Sequence, residues 1–418
     1  MPALERIVLP NQLTLIVFED HSIPAVTLEL QVSAGSWRDP PGGKGIANLA
    51  AKSLLLGTRN LSFDQVNNRL DSIGAGLEAE CRKDFASIEM QVLKKDLDSG
   101  FDLLVELITS PAFRKQDVAK EKEEILGTIR SRKDEPLHVA DEAFESALFR
   151  DSPYSSPVEG TLQSLPAIGP DGLVKFYNSF YRPNNSILVV GGDISLEEVK
   201  ARIIPKLAAW QAAPVPPAQF AVAYAEGPKT VKIDKPVSQA SIVMGSSAID
   251  RSDKDYYAFS VLNEILGSGS LSSRLMVAIR VRKGLAYSVE SLLLARKYAG
   301  SFGVVIQTKD STAKDAISLA KEELERLQRE PVSDSELEGA KKFLIGNFPL
   351  KYSSTQEDFA KFAAQIEFYG LGMDYPEKYP SLIGAVTAQD VLRVAKKYIK
   401  PDNNILVVVG DLEKAQMK

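Results

Sequence analysis

A repeated segment constrains this chain more than any other feature. Arg182–Asp193, RPNNSILVVGGD, and Lys400–Asp411, KPDNNILVVVGD, align without a gap. A weaker correspondence sets Pro111 to Gly127 against Pro331 to Gly346. Two copies at so long a period are too few and too long for a solenoid, so the chain reads as two tandem homologous α+β units. The expected division is residues 1–209, a proline-rich linker at 210–227 that opens WQAAPVPP, and residues 228–418. Within the first copy, LTLIVF at Leu13–Phe18 and AVTLELQV at Ala25–Val32 predict strands. Helical patterns follow near Phe63–Ile73, Asp96–Thr109, Lys115–Arg132 and His138–Phe149.

The stretch Gly43–Thr58, GKGIANLAAKSLLLGT, is the most informative helix. Ile46, Leu49, Ala50, Ser53 and Leu54 form a small-or-apolar stripe at helical spacing, with Asn48, Ala51, Lys52 and Leu55 beside it. Taken alone, this is a plain core helix.

The segment closely resembles the signature helix of the pitrilysin/insulysin peptidases, the inverzincins, which include the mitochondrial processing peptidase. There, two histidines on one helical face bind zinc, and a glutamate between them is the general base. Gly45, Leu49, Gly57 and Thr58 hold that frame here, but Asn48, Ala51 and Lys52 stand in place of His, Glu and His. The family's third ligand, a Glu on a later helix, corresponds to Thr128 in EEILGTI. An ammonium donates hydrogen bonds and accepts none, and alanine can take no proton, so these positions form no metal or base set. The resemblance implies a half-clamshell of two units, each a mainly antiparallel sheet packed with helices, with no metal in this chain. The strand that grips substrate backbone in catalytic relatives reads Leu77-Glu78-Ala79 here instead of carrying an Asn-Ala pair.

The second copy carries the positive signal. LGSGSLSSRLMVAIRVRKGLAYSV, from Leu266 to Val289, resembles the family's second-half signature, in which an Arg and a Tyr seven positions apart reach into the peptidase cleft. The matching residues are Arg280 and Tyr287. Without the resemblance, Arg280 would complement a helix C-terminus and Tyr287 would be a core aromatic. Gly267–Ser270 lies where the non-catalytic mitochondrial subunit has its glycine-rich loop, though much shorter; it lacks the third glycine and the Lys-Ser/Thr of phosphate loops.

The resemblance implies a non-catalytic subunit that completes a partner's active site in trans. The partner would be a zinc-bearing homologue, in a heterodimer or heterotetramer, and the substrate a peptide. A structural subunit like the respiratory core proteins, or a stand-alone peptide-binding module, are the other readings. Net charge −5 gives no footprint for nucleic acid. No apolar run is long enough for a membrane span, and the N-terminus, MPALERIVLP, lacks a signal-peptide pattern. The expectation is a soluble protein, cytoplasmic unless a periplasmic export signal has been removed. Cys81 alone permits no intrachain disulfide, and His21, His138 and Cys81 are too dispersed in sequence to suggest a zinc site elsewhere in the chain.

Overall fold

The structure, a computed structural model, describes all residues except 1, 219–221, 226, 269 and 270. It contains two compact units. Unit 1 comprises residues 1–129, 157–219 and 349–375; unit 2 comprises 130–156, 220–348 and 376–418. Each unit therefore takes in a stretch from the other half of the sequence. Repetition is a property of sequence, whereas compactness is a property of packing, and the two divide this chain differently.

Unit 1 is built on a six-stranded sheet of β1 (Glu5–Val8), β2 (Thr14–Glu19), β3 (Ala25–Val32), β4 (Gly76–Cys81), β5 (Ala86–Leu93) and β6 (Ser186–Gly192). Their order is β1-β2-β6-β3-β5-β4, and only the β2–β6 pair is parallel. Unit 2 holds β7 (Lys229–Asp234), β8 (Gln239–Ser247), β9 (Ala286–Ala295), β10 (Gly300–Lys309) and β11 (Ile405–Gly410), in the order β7-β11-β8-β10-β9. Removing β1 makes the two orders identical, strand for strand. The repeated segments contain β6, slotted between β2 and β3, and β11, slotted between β7 and β8, and each makes its sheet's parallel pair. A central strand buried on both faces reads as a continuous apolar run, which is why ILVV survives in both copies.

One face of the unit 1 sheet carries the main core. Val26, Leu28 and Leu30 of β3 and Ile88, Met90 and Val92 of β5 pack with α1 (Ile46–Leu54), α2 (Phe63–Ile73), α3 (Leu97–Thr109) and α4 (Lys115–Arg132), and these apolar residues are almost fully buried. Period-two alternation sends Thr27, Glu29 and Gln31 to the opposite face. There they are buried beneath the helix Gln356–Phe368, which packs on β3 and β6. In unit 2 the helix Pro136–Phe149 packs on β8 and β11 in the corresponding way. The linker is tethered along unit 1: Asn184 donates to the Ala213 carbonyl, and the Arg38 guanidinium, stacked on Trp37, donates to the Pro216 carbonyl.

Candidate functional site

Helix α1 is positioned by residues that do no chemistry. Asp39 accepts hydrogen bonds from the backbone N–H of Gly45 at 2.6 Å and Ala47 at 3.0 Å, setting a carboxylate at the positive end of the helix. Burial pushes that carboxyl up to about 7, against the pull of the two N–H groups. Gly45 has φ +94°, and a Cβ there would stand 2.5 Å from the Glu159 carbonyl oxygen, so only glycine fits. At the other end the Thr58 hydroxyl donates to Glu106 at 2.7 Å and accepts from the backbone of Asn60 and Leu61. Arg114 donates to the carbonyls of Thr58 and Leu61. The glycine and threonine that frame the motif are thus required by the fold itself.

Between these anchors, Ala51 is fully buried, and Asn48 is buried with its Nδ2 donor unpaired. The Lys52 ammonium lies 3.6 Å from the Glu121 carboxylate of α4. Burial raises the Glu121 carboxyl above its usual range, and Lys52 opposes that rise. Thr128, two turns further along α4, is exposed, and its hydroxyl donates back to the Glu124 carbonyl. A cavity of about 360 Å³ opens here, lined by Lys52, Phe63, Leu77, Ala79, Glu121 and Glu124 among others. Leu77 and Ala79 come from β4, which pairs only with β5 and so forms an edge of the sheet.

This donor set does not fit zinc. An amide, a methyl, an ammonium and a hydroxyl replace imidazole and carboxylate, and the ammonium occupies the acidic side of the cavity as a cation in its own right. Among the described residues no group of three His, Cys, Asp or Glu could hold a metal. Glu121 escapes sequence reasoning at this site. The available signal is its spacing of two helical turns from Thr128, which puts both on one face of α4.

The structure brings Arg280 and Tyr287 together in unit 2. The segment Met276–Val281 is a π-helical turn, and Gly284, at φ +64°, reverses the chain into β9. This turn places the Arg280 guanidinium carbon 6.0 Å from the centre of the Tyr287 ring. Tyr287 is 73% exposed and is therefore no core aromatic; Arg280 is exposed as well. Of the short glycine run, Gly269 and Ser270 lie outside the described residues; Gly267 accepts a hydrogen bond from the Ser291 backbone at 2.7 Å.

Known proteins resemble this chain along nearly its whole length. Residues 15–162 match the family described as Insulinase (Peptidase family M16), and residues 167–344 match Peptidase M16 inactive domain. An uncharacterised zinc protease of Streptomyces coelicolor is 26% identical over 99% of this chain and 91% of its own length. The non-peptidase homologue YmxG of Helicobacter pylori is 24% identical over 95% of this chain and 91% of its own. The crystal structure of a peptidase M16 inactive domain from Pseudomonas fluorescens superposes with TM-score 0.91 at 24% identity, covering 97% of each chain. At that identity the last likeness speaks for the fold alone.

Proposed function

Because this chain belongs to the M16 peptidase family, in the line of pitrilysin and insulinase, we propose that it is the non-catalytic subunit of a heteromeric zinc peptidase. The zinc, the attacking water and the general base would belong to a homologous partner. This chain would contribute Arg280 and Tyr287 across the interface. The observation that carries the reading is the asymmetry between the two signatures. At Asn48, Ala51, Lys52 and Thr128 every zinc-competent side chain is replaced, while Arg280 and Tyr287 stand adjacent and open to solvent.

Their chemistry suits that role. When a peptide carbonyl is attacked, negative charge grows on its oxygen, and a phenol hydroxyl aimed at it donates a hydrogen bond that strengthens as the charge builds. A guanidinium beside the phenol can hold the ring and anchor a neighbouring substrate carbonyl. A purely structural subunit has no use for this pair in an exposed position. No described helix is long and apolar enough to cross a membrane, so assembly would not depend on a helical membrane span in this chain.

Co-expression with a zinc-bearing homologue, followed by affinity capture of this chain and native mass spectrometry, tests the assembly. A heterodimer or a multiple of it, with zinc only in the partner, is expected. Monomer or homodimer alone in the presence of an active homologue would contradict it.

A further inference from the structure

We propose that a cavity at the start of the helix Gln356–Phe368, in unit 1, binds a linear aliphatic polyamine. The cavity measures about 520 Å³, and Phe18, Asp20, Tyr352, Gln356, Glu357 and Phe359 are among the residues that line it. None of Asn48, Lys52, Thr128, Arg280 and Tyr287 lines it, so this inference and the peptidase reading do not rest on each other.

Charge sets the ligand class. Among the described residues, Asp20 and Glu357 are the acidic members of the lining, and no lysine, arginine or histidine joins them. Hydrogen bonds from Ser22 hold the Asp20 carboxyl below its usual range, against the effect of burial, so it is ionised at neutral pH. The Glu357 carboxylate accepts from the Gln91 amide, a neutral donor. His21, next to Asp20 in the chain, turns its ring to Asp193 at 2.6 Å and to Glu19 at 3.7 Å. An anion would meet like charge here, and two carboxyl groups are too few to cage a divalent metal. An organic cation fits.

Topology sets the ligand's shape. Asp20 directly follows β2, and its N–H donates to the Gly192 carbonyl at the end of β6. Glu357 is bonded to Gln91 on β5. With β6 and β3 lying between β2 and β5, the backbone anchors of the two carboxylates are three strand spacings apart, about 14 Å. One ammonium cannot serve both, whereas an extended chain with an ammonium at each end can. The wall offered to its methylenes is aromatic: Phe18 and Phe359 meet edge to face at 4.7 Å, and the Tyr352 ring lies 6.1 Å from Phe359. Such faces also attract ammonium groups. Gln356 is only 5% exposed; its amide nitrogen donates to the Asp20 carbonyl at 3.0 Å, while its Oε1 makes no hydrogen bond. A buried acceptor left unpaired is costly, and an ammonium can supply the donor.

The test uses the full chain alone. Titration calorimetry in low-salt buffer would compare spermidine with octylamine, a singly charged chain of similar length, and with triethylene glycol, which is neutral. Spermidine should bind at least about tenfold more tightly than octylamine, and triethylene glycol not measurably. Glu357→Gln, whose amide oxygen still accepts from Gln91, should bring spermidine down to the level of octylamine, and Asp20→Asn should do the same. Thermal melts establish that each variant is folded. Octylamine binding as tightly as spermidine, or no spermidine binding at millimolar concentration, would overturn the proposal. So would native spermidine affinity in both folded variants, which would mean that the amine is drawn only by the net charge of −5. No peptide and no partner subunit enters the assay, so its failure would leave the subunit reading untouched.

Discussion

The Lys52 ammonium stands 3.6 Å from the Glu121 carboxylate, joining α1 to α4 through an ion pair. Lys52 is 43% exposed and Glu121 only 11%, so the acid depends on the pair more than the base does. Lys52→Ala should cost up to about 1 kcal/mol, as for a partly exposed pair. The sign of its pH dependence follows from Glu121, whose folded carboxyl is raised and would rise further without Lys52. The variant should be nearly as stable as the native chain in acid and lose stability as pH rises through the folded value. Denaturation midpoints at pH 5 and pH 8 check this.

Zinc analysis of the purified chain should find no stoichiometric metal. Restoring the three ligands and the base together, as Asn48→His, Lys52→His, Thr128→Glu and Ala51→Glu, should bring uptake to about one zinc per chain. Failure of the restored chain to take up zinc, although folded, would mean that α1 and α4 are not placed for the metal.

Gly45→Ala tests whether the motif's frame is structural. The positive φ and the approach to the Glu159 carbonyl predict a loss of at least about 2 kcal/mol in chemical denaturation. A loss under about 0.5 kcal/mol would show that α1 does not need the turn.

A second pH effect resides beneath the helix Gln356–Phe368. Burial, and then Glu89 opposite it on β5, push the Glu29 carboxyl up to about 8, while Lys361, 2.6 Å from Glu89, pulls the other way. Glu80 and Arg82 add smaller opposing contributions. A raised carboxyl favours folding while protonated, so its stabilisation is complete below the unfolded value near 4.5 and is lost as pH climbs towards 8. Glu29→Gln should flatten stability between pH 5 and 8 and gain a few kcal/mol at the alkaline end. Thermal melts of both chains across that range measure it.

Much of this arrangement is legible in the sequence, for identifiable reasons. The strands β2 and β6 announce themselves by apolar runs and β3 and β5 by period-two alternation, and the repeat foretells that β6 and β11 occupy equivalent slots. Asn48, Ala51, Lys52 and Thr128 are readable because a metal site tolerates few side chains, so their chemistry alone decides. Arg280 and Tyr287 are visible as a spacing, but the π-helical turn and the glycine reversal that bring them to one place are not. Glu121 is hidden because an interhelical ion pair depends on which helix faces which. The assignment of Pro136–Phe149 to unit 2 and of Gln356–Phe368 to unit 1 is hidden for a similar reason: an amphipathic helix records that it covers a sheet, not which one.

The central claim is that Arg280 and Tyr287 act on a substrate held by another subunit, and steady-state kinetics on a reconstituted heterodimer tests it most directly. Tyr287→Phe, made in this chain only, should leave assembly intact and lower kcat by about 10²–10³, the usual effect of losing one oxyanion donor. Arg280→Ala should do at least as much damage, with a rise in KM. Assembled complexes of both variants that cleave peptides at the native rate would contradict the account and leave this chain a structural subunit.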